Sequence, residues 1–233
     1  MGVKIAPQYM ILLLTLFRRP YNVKKLLAIF ILVTLPFIFN NVSAETFVAG
    51  KDYTVINADA PKQNPVQVIE FFNYGCPWCA FIDPTVEKWI QHKPRNVEFK
   101  RVPLAFESGW GTYAKAYYLA KALKIENKIT PLLFTAIHGS DNTQNNDLSS
   151  TAAITDFFVK QGVKQSAVEN AMNSASPSMT LQLQEGPRMM KQYSITTMPT
   201  FMVGEKYRVG LDQAKTPERL MEIVDYLVKL DNK

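Results

Sequence analysis

The stretch Glu70-Phe71-Phe72-Asn73-Tyr74-Gly75-Cys76-Pro77-Trp78-Cys79 contains the only two cysteines of the 233-residue chain. The apolar run that ends at Phe72 predicts a buried β-strand over residues 66–72. The residues after Cys76 predict a helix over residues 77–91, which Pro84 should kink. Cys76 therefore lies at a helix N-terminus, where unpaired N–H groups and the helix dipole favour a thiolate. A thiolate, and not a thiol, attacks disulfides.

A bare Cys-x-x-Cys pair fits either a redox centre or half of a zinc site. Structural zinc takes four ligands, and His92 and His138 are the only histidines that could add to the cysteines. Neither histidine has the spacing of a zinc motif, so we predict no metal site and place both residues on the surface, at helix ends. Thiol–disulfide exchange takes place between sulfur atoms, so we also expect no cofactor.

The first 44 residues have the pattern of a leader that includes a secretory signal peptide. Basic residues precede the apolar run 26–39, and the small residues Val42-Ser43-Ala44 follow it. We predict cleavage between Ala44 and Glu45, and hence an exported, periplasmic protein. An uncleaved anchor is the alternative, but the run is shorter than the ~20 apolar residues of a membrane span and contains Pro36.

The basic character of the chain belongs largely to this leader. The whole chain has a formal charge of +6, yet five of its basic residues and none of its acidic ones precede residue 45. The remainder is almost neutral and has no basic stripe interleaved with aromatic residues. We therefore predict no binding to nucleic acid.

After Cys79 the pattern changes from strands to helices and back to strands. A first strand ends near Val55, and another is predicted over residues 97–102. The five helices predicted next cover residues 113–123, 125–138, 151–161, 165–173 and 179–193. Strands over residues 200–203 and 207–209 follow, and a closing amphipathic helix begins after Thr216-Pro217. The order predicts an α/β domain made of residues 45–106 and 188–233, interrupted by an all-helical insertion over residues 107–187.

Three segments carry a family resemblance. The segment from Glu70 to Cys79 resembles the active-site segment of the DsbA family of thiol:disulfide oxidoreductases, which have a thioredoxin-like fold with a helical insertion. Thr197-Met198-Pro199-Thr200-Phe201 resembles the cis-proline loop of that family, and residues 120–128 resemble part of its insertion. The likeness covers most of the chain after the leader.

The resemblance implies roles for all four residues of the cysteine motif. Cys76 would form the mixed disulfide with the substrate, Cys79 would be its more buried partner, and the Pro77-Trp78 pair would tune the reduction potential. Trp78 stands where the commonest dipeptide of the family has histidine, and an indole has no ionisable group. Because stabilising the reduced thiolate raises the potential, we expect a less oxidising protein than relatives with Pro-His.

The resemblance also implies a substrate loop at Thr197, Met198 and Pro199. Pro199 would be cis and packed beside the disulfide. Met198 would expose a backbone edge that pairs with a substrate peptide as an added strand. Without the cysteine motif, a proline at the first residue of a strand would be the simpler interpretation.

Glu70 is a lone acid in an apolar strand, where it is costly unless it is paired or protonated. The family places an acid below the disulfide, with a basic partner on the next strand, and the acid could relay the proton of Cys79. Lys100 or Arg101 supplies the partner, since strand alternation lets only one of them face inward. Lys100 is our candidate for the site. A surface glutamate is the alternative interpretation of Glu70.

These features predict an exported enzyme that introduces disulfides into reduced or unfolded exported proteins through Cys76 and Cys79. The resemblance implies that a membrane protein of the DsbB type would reoxidise it, and we expect the enzyme to be a monomer. A periplasmic reductase or isomerase of the same fold is one alternative, although residues 45–65 are too short for the extra domain through which such isomerases usually dimerise. A non-catalytic chaperone with a static disulfide is the other, and it leaves the proline loop unexplained.

Overall fold

The computed structural model describes residues 46–140, 146–173 and 177–232. The predicted leader and its cleavage site at Ala44 lie outside the described residues. None of the helices in these described ranges combines the length and the apolar composition of a membrane span.

A five-stranded sheet with the order β1-β5-β4-β2-β3 forms the centre of the fold. Its strands are β1 (Thr54–Val55), β2 (Val66–Phe72), β3 (Val97–Pro103), β4 (Thr200–Val203) and β5 (Tyr207–Gly210). β2 pairs in parallel with β3 and antiparallel with β4, and the other two pairings are antiparallel. β2 is buried at every position except Gln67, which is half-buried. This burial on both faces explains the nearly continuous apolar run in its sequence.

The helices of the described residues lie either in the insertion between β3 and β4 or outside it. They are α1 (Pro77–His92), α2 (Trp110–Ala122), α3 (Glu126–His138), α4 (Thr151–Lys160), α5 (Gln165–Asn173), α6 (Pro177–Gln192), α7 (Leu211–Ala214) and α8 (Pro217–Asp231). The helices α2 to α6 separate β3 from β4, and α8 packs on α1, β4 and β5. The predicted fold class, an α/β fold interrupted by helices, is therefore confirmed. The short helix α7 was missed, and the predicted domain limit at residue 187 falls within α6.

Three apolar clusters hold these layers together. One joins the sheet to α1 and α8 through residues such as Val68, Phe201 and Ile223. A smaller cluster joins the other face of the sheet to α6 through residues such as Met189. The third fills the insertion and also contains Phe72, Tyr74, Cys76 and Cys79. The cysteine pair therefore lies where the sheet meets the helical insertion.

Candidate active site

Cys76 is the N-cap residue of α1, with an extended backbone (φ −83°, ψ 114°). Its Sγ accepts a hydrogen bond from the backbone N–H of Cys79 at 3.3 Å, as a serine oxygen does at an ordinary N-cap. Pro77 fits the first turn because its missing N–H would have no partner there. A hydrogen bond from the Cys79 thiol lowers the pKa of Cys76, and backbone N–H groups of Cys79 and Trp78 add to this effect against the opposing effect of burial.

Cys79 lies in surroundings that disfavour a thiolate. Its side chain is fully buried, and burial raises its pKa well above that of an ordinary thiol. The hydrogen bond to Cys76 and the charges of Cys76 and Glu70 raise it further. Both residues are free thiols. Of the two sulfur atoms, Cys76 Sγ is therefore the better nucleophile and leaving group, and Cys79 Sγ holds its proton more tightly.

The loop before β4 lies next to Cys76. The Met198–Pro199 peptide bond is cis, as predicted. The Cys76 thiol lies 3.9 Å from the carbonyl oxygen of Met198, which it meets across a sequence separation of 122 residues. The pairing of β2 with β4 places Phe71 opposite Thr200 and so brings the loop to the end of β2. The structure therefore brings the predicted proline loop together with the cysteines.

A groove of about 390 Å³ runs along this loop. Its lining residues are Trp78, Phe81, Thr197, Met198, Pro199, Leu211, Asp212 and Lys215. The Trp78 side chain is 60% exposed and the Phe81 side chain 49%, and their rings meet edge to face with centroids 6.0 Å apart. Two neighbouring aromatic side chains with this exposure are typical of a binding surface.

The partner of Glu70 is Arg101, so the choice of Lys100 was wrong. Arg101 Nε donates to Glu70 Oε2 at 2.7 Å, and both side chains are buried. Lys100 is half-buried and pairs with Glu185 of α6. The register of β2 and β3 explains the difference, because it sets Glu70 opposite Arg101, and residues directly opposite each other share a face of the sheet.

Arg101 also binds two carboxylates of α1. It donates to Asp83 Oδ1 and to Glu87 Oε1, each at 2.8 Å, and its guanidinium lies 5.7 Å from the ring centroid of Phe72. Three carboxylates therefore share one buried cation. Burial raises the pKa of Glu70, and it raises the pKa of Asp83 to about 7, although the charge of Arg101 opposes both shifts.

The comparisons with known proteins agree with this geometry. A family model described as Thioredoxin matches residues 60–226. The thiol:disulfide interchange protein DsbA of Burkholderia cepacia is 36% identical over 184 residues, which are 78% of this chain and 84% of that protein. The chain belongs to the DsbA family. DsbA of Pseudomonas syringae pv. tomato is 31% identical, over 80% of this chain and 85% of that protein.

Solved DsbA structures share the fold. The E82I variant of Pseudomonas aeruginosa DsbA has a TM-score of 0.72 and 26% identity, and the match covers 80% of this chain and 99% of that one. The oxidoreductase DsbA of Xylella fastidiosa has a TM-score of 0.70 and 25% identity, with 81% and 99% covered. The thioredoxin fold with a helical insertion and the class of protein disulfide oxidoreductase are thus confirmed.

One histidine of this DsbA family member is not where we predicted it. His92 is exposed, as expected, but the His138 side chain is buried, and its Nε2 lies 2.7 Å from the carbonyl oxygen of Tyr74. The reason is that the end of α3 packs on the segment before Cys76 and not against solvent. Within the described ranges, no group of three or more His, Cys, Asp or Glu side chains is arranged to hold a metal ion.

Sequence reasoning also missed two acids of the DsbA site. Asp83 and Glu87 are four residues apart on α1 and so lie on one face of the helix. This spacing was visible in the sequence. It did not reveal that both acids meet a cation, because that cation, Arg101, lies on β3 and not on the helix.

Proposed function

We propose that Cys76 and Cys79 are the redox centre with which this DsbA family member introduces disulfides into reduced exported proteins. The observation that supports the proposal most is the position of Cys76 at the N-terminus of α1, where its Sγ accepts a hydrogen bond from the Cys79 N–H at 3.3 Å and lies 3.9 Å from the Met198 carbonyl oxygen. A stabilised thiolate at Cys76 favours the reduced form of the pair, which makes the disulfide form an oxidant.

The reaction begins with the pair oxidised. A substrate thiolate attacks Cys76 Sγ, the bond between the two cysteine sulfurs breaks, and Cys79 leaves and takes up a proton. A second substrate thiolate then attacks the substrate sulfur of the mixed disulfide, and Cys76 leaves as a thiolate. The substrate dithiol loses two electrons and two protons; the cysteine pair gains the two electrons, Cys79 takes one proton, and the other proton passes to solvent. The low pKa of Cys76 speeds the second step because a more acidic thiol leaves faster.

Glu70 is the proposed proton relay for Cys79, with Arg101 in the position that we first gave to Lys100. The charge of Glu70 raises the pKa of Cys79, so a protonated Glu70 is the form that coexists best with a Cys79 thiolate. Burial raises the pKa of Glu70, which favours the protonated carboxyl group that a relay requires. Arg101 keeps the carboxyl group in place.

The proposed substrate site is the groove and the loop beside it. An extended peptide pairs with the backbone edge at Met198, next to Cys76 Sγ, and its apolar side chains enter the groove between Trp78 and Phe81. Reduced, unfolded proteins present both an extended backbone and apolar side chains, which fits this surface.

The remaining parts of the proposal concern the setting of the enzyme. The predicted leader exports the chain to the periplasm, where a DsbB-type membrane protein reoxidises the cysteine pair. Trp78 and Pro77 set the potential, and the enzyme acts as a monomer. A reductase or isomerase is the other candidate activity, since a thioredoxin-like centre supports both directions of exchange.

Measuring the reduction potential and the pKa of Cys76 tests the proposal. We expect a potential above about −200 mV and a thiolate already present near pH 5, whereas a reductase should lie near thioredoxin's ~−270 mV. The Cys76→Ser variant is the control, and it should have no exchange activity. Failure of the native protein to exchange with a peptide thiol would contradict both candidate activities.

A further inference from the structure

The peptide unit between Tyr74 and Gly75 is held from both sides by buried side chains. Its N–H group donates to Asn73 Oδ1 at 2.9 Å, and its carbonyl oxygen lies 2.7 Å from His138 Nε2. Asn73 belongs to the segment itself, whereas His138 is the last residue of α3 in the insertion. A peptide unit with both polar groups bound has its plane fixed, and this one ends one residue before Cys76.

The rest of the segment is bound to the residue that follows β3 and to the start of the insertion. The Asn73 side-chain amide donates to the carbonyl oxygens of Leu104, at 2.7 Å, and Trp110, at 3.2 Å. Gly75 lies against the Trp110 indole so closely that a Cβ atom there would be 2.5 Å from Nε1. The backbone N–H of Cys76 in turn donates to the Asn73 carbonyl oxygen at 3.1 Å. The position of Cys76 thus depends on groups outside the cysteine motif.

His138 can make its contact in one tautomer only. A carbonyl oxygen accepts hydrogen bonds, so Nε2 must carry the hydrogen. Burial lowers the pKa of His138, which keeps the ring neutral at physiological pH with a single N–H to give. That N–H goes to the Tyr74 carbonyl oxygen, across a sequence separation of 64 residues.

We propose that His138 is a positioning residue for the redox reaction, which fixes the Tyr74–Gly75 peptide and through it the Cys76 sulfur. The inference rests on the proposed role of Cys76. The Cys79 N–H donates to Cys76 Sγ at 3.3 Å, an ordinary distance for a sulfur acceptor, and this bond strengthens as charge develops on the sulfur. A small displacement of Cys76 therefore costs the thiolate more than it costs the disulfide, and losing the His138 contact makes the protein less oxidising.

The test compares three variants by the pKa of Cys76 and by equilibration with glutathione. In His138→Leu the ring volume is largely kept and the donor is lost. We expect a raised pKa of Cys76 and a roughly fivefold smaller equilibrium constant for oxidising glutathione, the size of one net hydrogen bond. His138→Gln keeps an N–H donor and should restore most of the difference. His92→Leu, at the exposed histidine, should match the native protein.

Two results would overturn the proposal. One is a folded His138→Leu protein whose Cys76 pKa and glutathione equilibrium equal those of the native protein. The other needs no substitution: nitrogen NMR of the native protein should find the His138 hydrogen on Nε2, and finding it on Nδ1 would remove the contact. A native protein that does not equilibrate with glutathione would contradict the proposed function instead, so the two failures are distinguishable.

Discussion

The outer and inner sides of the cysteine pair are built from opposite kinds of residue. On the outer side, the large apolar side chains of Trp78 and Phe81 are exposed. On the inner side, the charged groups of Glu70 and Arg101 are buried. Folded proteins generally arrange apolar and charged groups the other way round. Exposed apolar and buried charged side chains also occur elsewhere in the described residues, as at Leu181 and at the Lys206–Asp231 pair, but here the two kinds lie on opposite sides of one pair of sulfur atoms. This arrangement indicates that the outer side serves binding and that the inner side controls protons and thiolates.

Removing the buried cation should have the largest effect. Arg101→Met leaves three carboxylates, those of Glu70, Asp83 and Glu87, without their shared partner. We expect the free energy of unfolding in urea to fall by about 3–5 kcal/mol at neutral pH, because breaking a buried pair leaves uncompensated charge. Lys100→Met is the matched control and should cost less than about 1 kcal/mol. Equal losses in the two variants would show that the inner side carries no special electrostatic energy.

The inner side should also give the protein an unusual dependence on pH. The pKa of Asp83 is about 7 in the folded protein, against an ordinary value of 3.8, so the folded state binds the proton more tightly than the unfolded state. The contribution of Asp83 to the free energy of unfolding is fully present below the pKa that Asp83 has in the unfolded chain. It is lost as the pH rises through the pKa of the folded state. Between these two values Asp83 lowers the free energy of unfolding by up to about 1.4 kcal/mol per pH unit.

Comparing native protein with Asp83→Asn isolates this effect. The difference in unfolding free energy between the two should shift in favour of the variant as the pH rises from about 4 to 7. Urea titrations at several pH values measure it. A difference that stays constant across this range would mean that Asp83 titrates normally and that the cluster holds no proton near neutrality.

The outer side should affect substrate binding and not the reduction potential. Phe81→Ala removes one wall of the groove, and we expect KM for a reduced peptide with an apolar residue beside its cysteine to rise about tenfold, from ~1.5 kcal/mol of lost burial. The reduction potential should stay the same. Leu181→Ala removes an exposed apolar side chain of α6 outside the groove and should change neither quantity. A changed reduction potential in Phe81→Ala would contradict the assignment of substrate binding alone to the outer side.

Trp78 connects the two sides, and its effect on the potential should be the smallest. The indole lies in the groove, whereas the backbone N–H is among the groups that lower the pKa of Cys76. Trp78→His adds an ionisable ring next to the thiolate, and we expect the potential to rise by roughly 14 mV, about threefold in the equilibrium constant. Trp78→Phe should leave the potential as it is. If Trp78→His has the reduction potential of the native protein, the Pro77-Trp78 dipeptide does not tune that potential.

The sequence predicted those parts of the molecule that depend on local patterns. β2, α1 and β4 follow from apolar runs and from proline and cysteine positions that need no knowledge of distant contacts. The helix α7 has four residues, which is too few to show a helical period.

The errors within the site arise from contacts between distant residues. Strand alternation indicated that either Lys100 or Arg101 faces Glu70, but the choice depends on the register of β2 and β3. His138 was assigned to the surface because it ends a helix. Its burial depends on how α3 packs against Tyr74, and nothing in the neighbouring sequence reports this contact.

The order of the strands in the sheet has a consequence for how the protein folds. One edge of β2 pairs with β3, which follows it closely in the sequence, whereas the other edge pairs with β4, which comes after the whole insertion. Cys76 likewise contacts Met198 across a separation of 122 residues. Contacts between such distant residues form slowly, because the entropy of closing the long loop is lost before the contact stabilises the chain. We expect a chain in which β4 has not yet paired to expose the free edge of β2 and Cys76 side by side. An enzyme that supplies disulfides to other chains is therefore itself open to forming a disulfide with the wrong thiol until β4 and β5 have paired.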